Sequence, residues 1–188
     1  MEALTLLIIR HAEKPGDAWP GPGLTEQGVA DDKSLVIRGW QRTGAWTAMF
    51  GAGLGGDSCP EPKAIYAAAP GAPTATDDGP SKRPFETVLP LAARLGLTTC
   101  AKYALGDEAK LMAKVSALSG IVLIAWEHKA IVKSLVPLIP VSSGTPPTHW
   151  PGDRFDVVLR YDRPAGATTF AYRQLYPLLL SGDSDTPF

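Results

Sequence analysis

Two apolar runs, Leu6-Leu7-Ile8-Ile9 and Ile121-Val122-Leu123-Ile124-Ala125-Trp126, each end abruptly in polar residues: Arg10-His11-Ala12-Glu13-Lys14 and Glu127-His128-Lys129. Unbroken apolar succession predicts strands buried on both faces, so each polar cluster leaves a rigid support. Helical spacing of Ala45, Trp46, Met49 and Phe50 predicts a helix behind Arg38 and Arg42, stopped by 51–62. A second helix over 83–95 carries Phe85, Val88, Leu89, Ala92 and Leu95 on one face, with Pro84 in its first turn and a kink expected at Pro90. Asp107 reads as the cap of a third helix with Leu111, Val115 and Leu118 inward, ended by Gly120. A fourth, with Ile131, Val132, Leu135 and Val136, follows the second polar cluster. Shorter strands are expected at 64–68 and 97–102. Phe155, Val157, Leu159 and Tyr161 alternate with smaller or polar neighbours, as do Phe170 and Tyr172, which predicts a hairpin turning at 163–167. Three long loops are expected, 12–34 (with a turn of helix at 25–30), 69–82 and 140–153, and the polar end 181–188 reads as frayed.

Strands alternating with helices imply an α/β fold: one domain, 1–188, with a mainly parallel sheet covered on both faces as a three-layer α-β-α sandwich and closed by the antiparallel C-terminal hairpin. Ligands of such sheets bind beyond the carboxyl ends of the strands, where both polar clusters emerge. The chain is long enough to bury a core without staples. A net charge of -1 leaves no basic footprint for nucleic acid, so an anionic ligand must be caught by local cations. Cys59 and Cys100 follow no metal-ligand spacing, and such sparse cysteine suits a reducing compartment. The apolar start is too short and too soon charged for a signal peptide or membrane span, so a cytoplasmic protein without membrane contact is expected.

An imidazole can attack phosphorus to give a covalent phosphohistidine, and a neighbouring guanidinium matches phosphoryl oxygens with forked, charge-assisted hydrogen bonds. Arg10 and His11 can play those parts; equally, Arg10 can pair with Glu13 while His11 is a satisfied semi-buried residue. His128, leaving a second apolar strand on the same edge, favours a joint site. Arg83, at a helix start after a long loop, adds a second fork beside amides that attract anions, whereas Lys82 suits solvent.

These residues carry a resemblance. Leu7-Ile8-Ile9-Arg10-His11-Ala12-Glu13 resembles the RHG-type opening of the histidine phosphatase (phosphoglycerate mutase-like) superfamily, in the wording of a small bacterial RHAEKP subgroup. In the family's order follow Leu35-Val36-Ile37-Arg38-Gly39-Trp40-Gln41-Arg42, similar to its LTxxGxxQA segment, and Ser81-Lys82-Arg83-Pro84-Phe85-Glu86-Thr87, similar to SxxxRxxET. The strand 122–128 then bears the second histidine. Leu24-Thr25-Glu26-Gln27-Gly28 also fits LTxxG. The resemblance implies that His11 is the nucleophile, that Arg10, Arg83 and His128 complete a phosphoryl pocket, and that no metal or other cofactor is needed. Position 12 is Ala where the family usually has Gly, and Lys129 stands where many members have Gly or Asn. For the proton donor the resemblance offers Glu108 or Asp107, with Glu127 as rival; their structural alternatives are a first-turn carboxylate, a helix cap and a partner of Lys129. Lys14 can lean into the phosphate pocket or into solvent.

The expected activity is metal-independent hydrolysis of a phosphomonoester, or of a phosphoprotein or phosphohistidine, by an acid phosphatase-like route. The partner is then a small phosphorylated substrate or inorganic phosphate. The alternative is a phosphate-binding or regulatory module of the same fold with little turnover. A phosphoglycerate mutase-type transferase ranks lower, as the chain has no obvious extra segment to enclose an intermediate. A metal hydrolase built on His11, His128 and His149 ranks last, because those histidines lack ligand spacing. Substrate identity and oligomeric state are not written in the sequence.

Overall fold

The computed structural model describes residues 1–16, 18–70 and 81–188; Asp17 in the first expected loop and most of the 69–82 loop lie outside these. Six strands form one sheet: β1 (Leu4–Arg10), β2 (Ala64–Ala67), β3 (Gly120–Trp126), β4 (Val141–Ser143), β5 (Val158–Arg163) and β6 (Phe170–Leu175), in the order β2-β3-β1-β5-β6-β4. β2, β3 and β1 run parallel, β5 pairs antiparallel with β1 and with β6, and β4 adds a parallel edge.

The apolar runs behave as strands buried on both faces because successive side chains point to opposite sides. Leu6 and Ile8 pack with Val122, Ile124 and Trp126 against α3 (Glu108–Val115) and the helix after β3. Leu7 and Ile9 pack with Leu123 and Ala125 against α1 (Ile37–Gly51) and α2 (Arg83–Leu95). The result is the expected three-layer α-β-α sandwich, with a mixed sheet whose first three strands are parallel.

Five local expectations need correction. Residues 97–102 do not form a strand: only Cys100 bridges Tyr66, its N–H donating to Ile65 O at 2.8 Å. Residues 25–30 form a turn, not helix, with Leu24 bridging Ala30 and Leu35. The helix after β3 begins as α4 (His128–Ala130) but widens into a π turn over Ile131–Leu135 and tightens to a 3-10 turn at Val136–Leu138. β4 falls inside the expected 140–153 loop. The tail is not frayed either: Asp183 pairs with Arg42, Arg154 donates to the carbonyls of Ser184 and Thr186, and the Phe188 ring lies 5.3 Å from Trp150.

Candidate active site

In the β1–β3 register Arg10 stands opposite Trp126, so the two strands end level. The His11 N–H donates to Trp126 O at 3.0 Å, and the chain then releases His11 and Glu127-His128 side by side at the carboxyl edge of the sheet. A cavity of about 170 Å³ opens there, lined by His11, Lys14, Ala68, Ala69, Ser81, Arg83, Pro84, Leu105, Glu127, His128 and Lys129. Residues from the ends of three parallel strands and the start of α2 therefore converge, as the sheet topology requires.

His11 is buried, and its Nδ1 lies 2.7 Å from Ala12 O. A carbonyl only accepts, so Nδ1 carries the proton and Nε2 keeps its lone pair. Burial, followed by the positive charge of Arg10, pulls the imidazole down to about 3, with Arg83 and His128 adding to the effect. The ring is neutral across the physiological range.

Arg10 is also buried. Its Nη1 donates to the carbonyls of Pro151, Gly152 and Arg154 at 3.2, 2.8 and 3.1 Å, and its guanidinium lies 3.7 Å over the Phe155 ring. Burial lowers it to about 10, which leaves it a cation at neutral pH. Its Nε is buried without a hydrogen-bond partner. The alternative Arg10–Glu13 pair does not form. Glu13 accepts instead from Arg42 Nε and Nη2 at 2.9 and 2.8 Å, and the same guanidinium grips Asp183 at 2.7 and 3.0 Å.

Arg83 reaches the cavity from the first residue of α2, anchored through Nε to Ser34 O at 3.2 Å and through Nη2 to Asp32 O. The two residues that close its sequence motif bind the first loop to the helix. Thr87 Oγ1 accepts from Ala12 N–H at 2.8 Å and donates to Arg83 O at 2.7 Å, while the Glu86 carboxylate accepts from Ser34 Oγ at 2.6 Å and Leu35 N–H at 3.0 Å. The Leu35–Arg42 piece, not 24–28, packs on the first cluster: a Cβ at Gly39 would lie 2.5 Å from Glu13 O, whereas one at Gly28 meets nothing within 4 Å. Gly28 serves a turn, with φ of 79°.

The candidate acids separate clearly. Glu127 lines the cavity; its Oε1 is 2.7 Å from His128 Nδ1, and its Oε2 accepts from Ala130 N–H at 2.8 Å. Burial pushes its carboxyl up, but His128 and the Lys129 and Ala130 amides outweigh that and hold it at about 2. Glu108 is buried away from the cavity lining, accepting from Trp126 Nε1 at 3.0 Å and from Gly106 N–H at 3.0 and 3.2 Å. Asp107 sits at the α3 N-terminus without a side-chain cap bond, taking Ala104 N–H and Lys110 instead. His149 is exposed and lines no part of this cavity. Lys14 and Lys129 are exposed at its rim. Thus His11, Arg83, His128 and Lys14 meet in one cavity, whereas Arg10, held by the 151–154 carbonyls, and Glu108 are not among its lining residues. The Phe155 platform and the 151–154 carbonyls carry no sequence signal, since backbone oxygens are independent of residue type; the Glu86-Thr87 ties lie within the motif but not among its expected chemical roles.

No family model matches the chain, and no curated protein sequence matches it. Among solved structures, the chain is similar to a mycobacterial glucosyl-3-phosphoglycerate phosphatase at 16% identity and a TM-score of 0.51, covering 93% of this chain and 98% of the other. A second similar structure, a mycobacterial hydrolase, has 14% identity and a TM-score of 0.49, over 93% and 90%. No helix among the described residues is long and apolar enough to cross a membrane. With its sheet order, its two helical layers and its overlap with the glucosyl-3-phosphoglycerate phosphatase, the chain has a phosphoglycerate mutase-like α/β fold.

Proposed function

We propose that the protein is a phosphatase that hydrolyses phosphomonoesters through a covalent phosphohistidine at His11, without a metal. The observation that carries this reading is the state of His11: Nδ1 tethered to Ala12 O, Nε2 unprotonated, and the ring beside a cavity lined by cations. In the first step the Nε2 lone pair attacks phosphorus and the P–O bond to the alcohol breaks. In the second, water attacks the phosphohistidine, releasing inorganic phosphate and restoring the neutral ring. Arg10, with Nε unpartnered, Arg83 and His128 supply donors to the equatorial oxygens, the main catalytic task in phosphoryl transfer. A positively charged cavity suits that anion and disfavours a metal cation.

The leaving oxygen needs a proton, and Glu127 is the acid that lines the cavity among the described residues. Ionised in the free protein, it shares the cavity with an arriving phosphoryl dianion; the like charge raises its hold on a proton. The chemistry is tested with purified protein and an aryl phosphate in EDTA: turnover is expected, and His11→Ala abolishes it. Undiminished turnover in that variant would sink the mechanism; tight phosphate binding with neither burst nor turnover in the wild type would favour the binding-module alternative.

A further inference from the structure

The backbone of the segment that carries the nucleophile is tied to three other elements. His11 N–H donates to Trp126 O at 3.0 Å, Ala12 N–H donates to Thr87 Oγ1 at 2.8 Å, and Glu13 O accepts from Val36 N–H at 3.2 Å. The first and last of these ties run backbone to backbone and are indifferent to residue type. The middle one depends on a side chain, that of Thr87 in α2, which is fully buried. Its hydroxyl also donates to Arg83 O at 2.7 Å, one turn earlier in the helix. That second bond orients the group: the hydrogen points to Arg83 O, and a lone pair is left facing the Ala12 N–H. One oxygen atom therefore joins the residue after His11 to the residue that carries the second guanidinium, and His11 and Arg83 both line the cavity.

Resting on the phosphatase reading above, we propose that Thr87 is a positioning residue for the nucleophile: its hydroxyl fixes the His11–Ala12 peptide, so that the His11 ring keeps Nδ1 on Ala12 O and presents Nε2 to the phosphoryl group that Arg83 binds. Ala12 is held by Thr87 through its N–H and takes the Nδ1 proton of His11 on its carbonyl, so the same residue links the hydroxyl to the ring. Without the hydroxyl, the Ala12 N–H is a buried donor lacking a partner, and the segment turns to find another. The carbonyl then leaves Nδ1, and the ring holds its proton on either nitrogen. A proton on Nε2 removes the lone pair that attacks phosphorus. A shift of the ring by about 1 Å has a comparable effect, since misplacement on that scale costs about 10²-fold in rate.

The test compares the full-length wild type with Thr87→Val, which removes the hydroxyl and keeps the branched shape, and Thr87→Ser, which keeps the hydroxyl. Val88→Ala is the control for lost stability: Val88 is buried in the core on the α1 and α2 side of the sheet and does not line the cavity. Turnover of an aryl phosphate is measured well below each melting temperature. Thr87→Val is expected to lower kcat about 10–10²-fold while KM moves by less than about three-fold, and Thr87→Ser to stay within about three-fold of wild type in both. Val88→Ala melts lower and keeps the wild-type kcat. NMR of the His11 ring nitrogens at neutral pH gives a reading that needs no turnover. Wild type and Thr87→Ser are expected to show the proton on Nδ1 alone, whereas in Thr87→Val the His11 signals move toward a mixture of tautomers. Full kcat in Thr87→Val, a loss that serine does not restore, an equal loss in Val88→Ala, or His11 signals unmoved by Thr87→Val overturns the inference. A wild type without turnover sinks the phosphatase reading instead, and the His11 signals then decide the role of Thr87 by themselves.

Discussion

Arg42→Met isolates the energetics that hold the first polar cluster in place. Arg42 makes four charge-assisted bonds, two to Glu13 and two to Asp183, and the three side chains are 3%, 0% and 3% exposed. Methionine fills similar space without charge, so its main effect is to strand the carboxylates. Asp183 keeps a second donor, Leu180 N–H at 2.9 Å, and belongs to the tail, which can swing into water. Glu13 has no such escape: its Oε2 already lacks a partner, and Arg38 Nε is 3.8 Å from its other oxygen. Removing one member of a buried pair costs about 3–5 kcal/mol, which at roughly 2–4 °C per kcal/mol for a chain of this size lowers the melting temperature by about 6–20 °C. Thermal unfolding followed by circular dichroism measures it. Adding Glu13→Gln to the Arg42→Met protein is expected to restore part of the loss, because a neutral amide costs less to bury than an anion. A drop under about 3 °C, or a double variant no more stable than Arg42→Met, would refute the assignment of the cost to a stranded Glu13 charge.

Two further predictions concern protons. Above about 6.5 His11 is neutral folded and unfolded; below it the unfolded chain takes up a proton that the folded ring refuses until about 3, so stability falls with pH across that window. Wild type is therefore expected to lose about 1.4 kcal/mol more per pH unit than His11→Gln between pH 6 and pH 4 in urea titrations, and parallel curves would contradict the buried neutral ring. For the acid, Glu127→Gln is expected to lower kcat on alkyl phosphates about 10²–10⁴-fold more than on aryl phosphates, whose leaving groups need little protonation. Glu108→Gln should leave the alkyl-to-aryl ratio unchanged and lower the melting temperature through its Trp126 and Gly106 contacts, and the opposite pattern would return the donor role to Glu108.

The parts legible in sequence were those whose cause is local. Leu6–Ile9 and Ile121–Trp126 read as strands because every residue is apolar, and topology then places Arg10 and Trp126 level at one edge. Residues 97–102 misled because Leu97 and Cys100 look strand-like in isolation, yet only Cys100 finds a ladder partner. Val141–Ser143 went unseen because its residues are exposed and too few for a period. The tail misled for another reason: polar and aperiodic, it lacks a local cause for order, and its partners Arg42 and Arg154 lie 141 and 30 residues away in sequence. The RHxE spacing suggested Arg10 with Glu13, but strand and loop geometry sends Glu13 to Arg42.

Arg10 shows why the C-terminal quarter matters to a site whose motifs all lie before it. Three carbonyls on Nη1 and the Phe155 ring fix the guanidinium, and those carbonyls belong to a loop closed by Trp150 Nε1 donating to Arg154 O at 2.8 Å. Arg154 in turn uses its fork on Asp156 and on tail carbonyls, and its guanidinium lies 5.3 Å over Phe188. The negative charges of Glu127, Glu13 and Asp153 offset part of the cost of burying Arg10, so it remains a cation while 1% exposed. The carbonyls have a selective effect: with Nη1 committed and the plane held, Nε is left a buried donor without a partner, the donor that the proposed phosphatase reading assigns to the phosphoryl group. Fixed donors of this kind need no reorganisation as charge develops, and that is the condition under which electrostatic stabilisation is largest. The tail, the loop and the aromatic platform are thus the support on which the motif's first cation depends.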